Sequence, residues 1–205
     1  MMINPILCYS GGMRFNKTTP NHTPLFPIKI EGKVLNTSLT IDSNWRRVHL
    51  KNDDTKSCFN ETGSWNCLDY KTCIDTCLID GITMPEWKES FNIEIIHEND
   101  SSKVQLGLPS SRDAKSGPRL LLLDESQRKY QPFNLLNKKV SFTVDTSKVG
   151  CGLNGALYFT NMDLINNISD AAGPSYGMGY SDAQIPTDYK YLKLLFYNHL
   201  TLSSL

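Results

Sequence analysis

What most constrains the fold of this chain is a set of short segments in which apolar residues recur at every second position, each bounded by polar turn residues. Phe91, Ile93 and Ile95 alternate with Asn92 and Glu94, and Val140, Phe142 and Val144 alternate with Ser141 and Thr143. Successive side chains of a strand point to opposite faces, so this period gives a sheet with one buried face. These apolar positions are therefore expected in the core. Strand signals run over Val34–Ile41, Phe91–Glu98, Val104–Leu108, Arg119–Leu123, Val140–Val144 and Ala156–Met162. Short strands at this spacing through most of a 205-residue chain predict an all-β sandwich. No internal repeat or low-complexity tract interrupts them.

Two stretches carry helical spacing instead. Lys71–Leu78 reads as one short helical turn stapled into loops, and in Lys190–Leu205 the residues Leu192, Leu195, Phe196 and His199 fit a terminal amphipathic helix. Lysine plus arginine equals aspartate plus glutamate at 21 each, so the chain has no basic field of the kind that nucleic acid or an anionic membrane selects. A neutral polymer or small ligand suits such a balance better. Apolar runs such as Leu120–Leu123 are far shorter than the roughly 20 residues that cross a bilayer. The opening MMINPILCYSGGM lacks a basic n-region and makes a poor secretory signal.

The cysteines point to the secretory route all the same. Cys58, Cys67, Cys73 and Cys77 fall in one short segment without the paired spacing of a zinc ribbon, which favours oxidised pairs over metal. Asn-x-Ser/Thr acceptors begin at Asn16, Asn21, Asn36, Asn60, Asn99 and Asn167, and these are useful only in a secreted protein.

Several motifs then occur in a fixed order: NHTPL at Asn21–Leu25, TIDSNWRRVH at Thr40–His49, a cysteine segment ending in IDG at Ile79–Gly81, and GPRLLLLD at Gly117–Asp124. They continue with VSFTVDTSKVGCGLNGALYFTNMD at Val140–Asp163 and YGMGYSDAQIP at Tyr176–Pro186. In this ordered set the chain, from about Asn16 to Lys190, resembles the N-terminal portion of glycoside hydrolase family 7, the cellobiohydrolases and endoglucanases that cleave β-1,4-glucan. The resemblance implies about the N-terminal half of a concanavalin-like β-jelly-roll sandwich with a glucan-binding cleft. It divides the chain into an unassigned extension at 1–15, a partial catalytic domain at 16–190 and a tail at 191–205 unlike the family. It also implies a secreted protein that binds cellulose or soluble β-1,4-glucan, needs no cofactor, metal, nucleic acid or membrane, and is a monomer when complete.

Carried over residue by residue, Asn44 and Trp45 match cleft positions where a glucosyl unit stacks on an indole. Arg119, Asn154, Tyr158, Asp182 and Gln184 match polar sugar contacts. A pyranose offers an apolar C–H face to an aromatic ring and hydroxyls to amides, guanidinium and carboxylate around its edge. Each also has a plainer reading: Trp45 or Tyr158 as core, Arg119 as the partner of a neighbouring acid, Gly152 and Gly155 as turn-formers.

The departures from the family pattern are as informative. Arg47 stands where tunnel-forming members carry a second tryptophan, Phe59 replaces a tyrosine of the binding surface, and Lys115 stands where an asparagine is common. GPRLLLLD is more like the open-cleft endoglucanases and CGLNGALYF more like the cellobiohydrolases, so exo and endo action both remain open. The family's pairing implies Cys58 with Cys77 and Cys67 with Cys73, and leaves Cys151 unpaired in this chain. Ser181 and Ile185 replace two further cysteines. Retaining glycosidases need two carboxyl groups about 5 Å apart, and the family supplies them from a Glu-x-Asp-x-x-Glu strand that does not occur in this sequence. Glu94 and Glu98 are a tempting carboxylate pair, but the EIIHE spacing belongs to a strand early in the sandwich and argues against a catalytic role. His97 between them is read as a solvated surface residue. The chain is thus expected to hold part of a glucanase cleft, without catalytic residues and without activity of its own. The break in the family pattern after Lys190 is read as a truncated or mis-spliced gene model, with a genuine short product as the other reading. The alternative is a non-catalytic carbohydrate-binding or degenerate paralogue.

Overall fold

The computed structural model describes residues 16–18, 20–60, 66, 70–98, 101–107, 117–151, 155–160, 162 and 172–180. In chain order the strands are β1 (Asn16–Lys17), β2 (Ile28–Ile30), β3 (Lys33–Leu35), β4 (Ser38–Ile41), β5 (Val48–Leu50), β6 (Asp53–Ser57), β7 (Cys77–Ile79), β8 (Ile93–Glu98), β9 (Ser101–Leu106) and β10 (Leu120–Leu123). Two short helices, α1 (Tyr70–Thr76) and α2 (Met84–Glu89), and 3-10 turns at Ser43–Trp45 and Pro174–Tyr176 complete the regular structure of the described residues. The all-β class read from the alternation is what they form. No helix among them is long and apolar enough to cross a membrane.

One sheet runs in the order β1-β7-β5-β6, with β1 parallel to β7 and the other pairs antiparallel. β2 with β3 and β8 with β9 form antiparallel pairs of their own. The β4/β10 ribbon positions the candidate site. Its register sets Leu120 opposite Ile41, Leu121 opposite Thr40, Leu122 opposite Leu39 and Leu123 opposite Ser38. Because faces alternate, Leu120, Leu122, Leu39 and Ile41 turn toward one core with Ile82, Trp87, Phe91 and Ile93. Leu121 and Leu123 turn the other way, onto Tyr130 and Tyr180. Apolar packing on both faces explains why LLLL shows no alternation at all.

A third core gathers Val48, Cys58, Cys73, Cys77, Ile79, Ala172, Tyr176 and Met178. Cys58 and Cys77 are joined by a disulfide across 19 positions of sequence, tying the end of β6 to β7. Cys73 is buried and disulfide-bonded as well, and Cys67 lies outside the described residues. Cys151 is a free, exposed thiol. α1 coincides with the expected turn and gives way to β7 at Cys77. α2 begins at a Thr-x-x-Glu cap: the Thr83 backbone N and Oγ1 both donate to Glu86 Oε2, at 2.7 and 2.6 Å. It buries Trp87, whose Nε1 donates to His22 O at 3.1 Å.

The structure corrects several expectations. The Val34–Ile41 segment is two strands, because the chain leaves its pairing with β2 after Leu35 and takes up β10 from Ser38. Phe91 is buried, but in the turn after α2 rather than in β8. Val140, Phe142 and Val144 are exposed, the last two by 61 and 62%. Among the described residues no strand pairs with 140–144 or 156–160. An alternating segment acquires a buried face only where a second layer covers it, and no described residue forms that layer here. The expected tail helix at 190–205 lies outside the described residues.

Candidate functional site

β4 ends at Ile41, and the next residue, Asp42, extends the ladder by one step. Its backbone N donates to Arg119 O at 2.9 Å. Alternation then sets the side chains of Asp42 and Arg119 on the face that carries Leu121 and Leu123. Asp42 is 1% exposed and performs two tasks. Oδ1 accepts from Asn44 N at 2.8 Å, which caps the 3-10 turn that presents Asn44 and Trp45. Oδ2 accepts from Arg119 Nη1 at 3.0 Å.

Held in this way, the Arg119 guanidinium carbon lies 3.7 Å from the centre of the Tyr180 ring and 5.7 Å from that of Trp45, both within cation–π range. Burial alone would lower the Arg119 pKa. Asp42, with the phenols Tyr158 and Tyr180, outweighs that and holds the group above its ordinary value, so it is a permanent cation. Tyr180 is buried and donates to Tyr158 Oη at 3.3 Å, with ring centres 6.4 Å apart. Tyr158 is half exposed. The outcome is a row of side chains, Trp45, Arg119, Tyr180 and Tyr158, that alternates aromatic faces with one planar cation. Trp45 itself is half-buried, with part of its ring on the core that contains Ile41 and Trp87.

Arg46 braces this row from beneath. It is buried and donates from Nε to Ile41 O at 3.1 Å, from Nη1 to Asn21 Oδ1 at 2.8 Å and to Asp80 O at 3.2 Å, and from Nη2 to Thr40 Oγ1 at 3.0 Å. Its carbon lies 5.1 Å from the Tyr176 ring centre. Burial lowers its pKa to about 10, which leaves it charged at neutral pH. The Gly173–Tyr180 segment closes against the same turn: Ser43 N donates to Gly177 O at 3.1 Å, and Tyr130 Oη donates to Met178 O at 2.6 Å. Gly177 has φ +69°, and a side-chain carbon there would meet Ile41 O at 2.3 Å, so only glycine fits.

Of the residues named from the sequence, the structure thus brings Asn44, Trp45, Arg119 and Tyr158 together. Asn154, Asp182 and Gln184 lie outside the described residues. Arg119 does pair with an acid, as its plainer reading had it, and the pairing also aims its flat face between the rings. Asp42, Arg46 and Tyr180 were missed, although an aspartate opening the SNW turn is a cap signal in its own right. Glu94 and Glu98 stand on β8, exposed and bonded to Lys88 and Lys103. His97 is exposed and meets Ser102 Oγ at 3.1 Å. Among the described residues no group of three or more metal-ligating side chains occurs. A separate cleft of about 580 Å³ lies beside the Cys58–Cys77 disulfide, lined in part by Leu50, Lys56, Phe59, Asn60 and Thr76.

Residues 28–196 match the sequence model of glycosyl hydrolase family 7. Over 190 residues the chain is 38% identical to exoglucanase GH7B of Limnoria quadripunctata, a match that covers 89% of this chain and 41% of that protein. Among solved structures, a family 7 cellobiohydrolase from Daphnia pulex superposes with a TM-score of 0.59 at 27% identity, over 82% of this chain and 40% of the other. The Humicola insolens endocellulase EGI, as a double mutant, gives 0.56 at 27% identity over 83 and 42%. The chain therefore spans about two fifths of the length of the relatives it matches. Its strands are part of the β-jelly-roll sandwich of those structures. By sequence match and by fold, the chain belongs to glycosyl hydrolase family 7.

Proposed function

We propose that this chain forms one wall of the substrate cleft of a secreted β-1,4-glucan hydrolase, with Asn44, Trp45, Arg119 and Tyr158 as sugar-contacting residues and Asn154, Asp182 and Gln184 completing the set. The observation that carries this reading is the row in which Arg119 sits between Trp45 and Tyr180 and Tyr180 meets Tyr158. Within the row, the exposed parts of Trp45 and Tyr158 offer ring faces for the C–H side of glucosyl units, and Arg119, held by Asp42 and Tyr180, offers fixed donors for their hydroxyls. A cellobiohydrolase from Melanocarpus albomyces of the same fold has been solved with cellotetraose bound, at 24% identity. We take the same class of ligand, a short β-1,4-glucan chain, for this row.

Hydrolysis with retention needs two carboxyl groups at close range. The only carboxylates that sequence reasoning set side by side, Glu94 and Glu98, are held by lysines on an exposed hairpin. The 205 residues contain no Glu-x-Asp-x-x-Glu run. The proposal is accordingly that this polypeptide binds glucan and does not cleave it unaided.

Calorimetric titration with cello-oligosaccharides tests both halves. The folded chain is expected to bind them, and Trp45→Ala to weaken binding by about tenfold or more, a loss of roughly 1.4 kcal/mol. A folded chain that binds no cello-oligosaccharide sinks the cleft assignment. Release of cellobiose from soluble cellulose derivatives by pure chain sinks the claim of inactivity. Binding without any hydrolysis by longer products of the same gene favours the non-catalytic carbohydrate-binding reading.

A further inference from the structure

The Asn-x-Ser/Thr acceptors are not equivalent in the folded chain, and two of them can be compared directly. At Asn21 the carboxamide is part of the brace beneath the site. Oδ1 accepts from Arg46 Nη1 at 2.8 Å and from Ile82 N at 3.0 Å, and Nδ2 donates to Ser175 O at 2.9 Å. The residue is half-buried, and the neighbouring Pro20 carbonyl is packed so closely on Gly81 that no side chain fits there. At Asn36 the arrangement is the reverse. The residue joins β3 to β4, its backbone N donates to Glu125 Oε1 at 2.9 Å, and its side chain is exposed. Among the described residues that side chain makes no hydrogen bond. Asn60 is exposed as well, at the rim of the cleft beside the disulfide, but its Thr62 lies outside the described residues.

We infer that Asn36 is an attachment point for an N-linked glycan and that Asn21, despite its matching sequon, is a structural asparagine that the folded protein keeps unmodified. The chemistry is an exchange at nitrogen. Asn36 Nδ2 gives up one hydrogen and bonds to the anomeric carbon of a lipid-pyrophosphate-linked oligosaccharide, and the lipid pyrophosphate leaves. At Asn36 the sugar projects into solvent and no native hydrogen bond is lost. At Asn21 the same bond puts an oligosaccharide on the nitrogen that faces Ser175 O, inside the packing of the Pro174–Tyr176 turn. Chains modified there lose that turn, and with it the bracing of Arg46.

This inference shares only the secretory route with the proposed function, and an added leader supplies that route independently. The full 205-residue chain is expressed behind a heterologous secretory leader in yeast. Glycans are removed with peptide-N-glycosidase in ¹⁸O-water, which marks each formerly glycosylated asparagine as labelled aspartate in peptide mass spectra. Label is expected at Asn36 in secreted protein, with any label at Asn21 confined to cell-retained, protease-sensitive chains. Thr23→Ala, which destroys the Asn21 sequon and keeps the asparagine at the cost of one exposed hydrogen bond to Gln127, should leave the mobility of secreted protein unchanged and its yield no lower. Asn21→Gln should lower the yield several-fold, since a modest loss of stability is enough to alter abundance. If the chain is wholly retained, its protease-resistant fraction is scored in the same way. Equal label at Asn21 and Asn36 in secreted or protease-resistant chains overturns the inference, as does an unlabelled Asn36.

Discussion

At the scale of single residues, the candidate site turns on one carboxylate. Asp42 is almost fully buried, and its partner Arg119 is 20% exposed at the side chain, so the pair is only partly screened by water. Removing one member of such a pair strands the other, at a cost of about 3–5 kcal/mol for a fully buried pair, and Asp42→Ala also uncaps the Ser43–Trp45 turn, worth about 1 kcal/mol. Urea unfolding of Asp42→Ala should therefore show a loss of at least about 3 kcal/mol. Arg119→Lys keeps the charge but not the planar fork, so it should cost less stability and yet weaken glucan binding. A double-mutant cycle over both sites should return a coupling above about 0.5 kcal/mol. Additive effects would show that the contact is incidental.

At the scale of elements, the strictest requirement falls where the Gly173–Tyr180 segment crosses the end of β4. Gly177→Ala adds a carbon that overlaps Ile41 O and holds alanine at φ +69°. It should destabilise by several times the roughly 1 kcal/mol typical of a point change, which a shift in the urea midpoint would register. An unchanged midpoint would mean that the segment does not pack on Asp42. This crossing was not legible in the sequence, because a run such as YGMGY records aromatic and flexible positions but not what they pack against. The ribbon was easier to read: GPRLLLLD marked β10 by its apolar content alone. β6, Asp53–Ser57, had no apolar pattern to find, since its residues are almost all exposed and it is held by backbone pairing to β5. The Val34–Ile41 run hid a change of partner at Asn36 and Thr37, to which side-chain periodicity is blind. Trp45, Arg119, Asn44 and Tyr158 came from motif resemblance, whereas Asp42 and Tyr180 needed the register of β4 on β10.

At the scale of the whole molecule, the described surface is divided. One part has packed cores and a disulfide, and another exposes Leu136, Val140, Phe142, Val144, Leu157 and Phe159. Exposed apolar surface of this extent is an aggregation liability. Phe142→Ser with Val144→Ser should raise solubility and lower binding of a hydrophobic dye while changing stability by less than about 0.5 kcal/mol, since neither side chain is packed. A marked drop in melting temperature would show instead that the strip is covered in solution. The β4/β10 ribbon has the opposite character, and its two-sidedness reaches beyond the site. Leu120 and Leu122 belong to one core and Leu121 and Leu123 to another, along a single run of four peptide groups. Neither core can open without breaking the strand that the other rests on, so the two form one cooperative unit. In deuterated water the ladder-bonded amides of β10 should be among the slowest of the described residues to exchange, and should lose protection together whichever of the two cores is weakened by mutation.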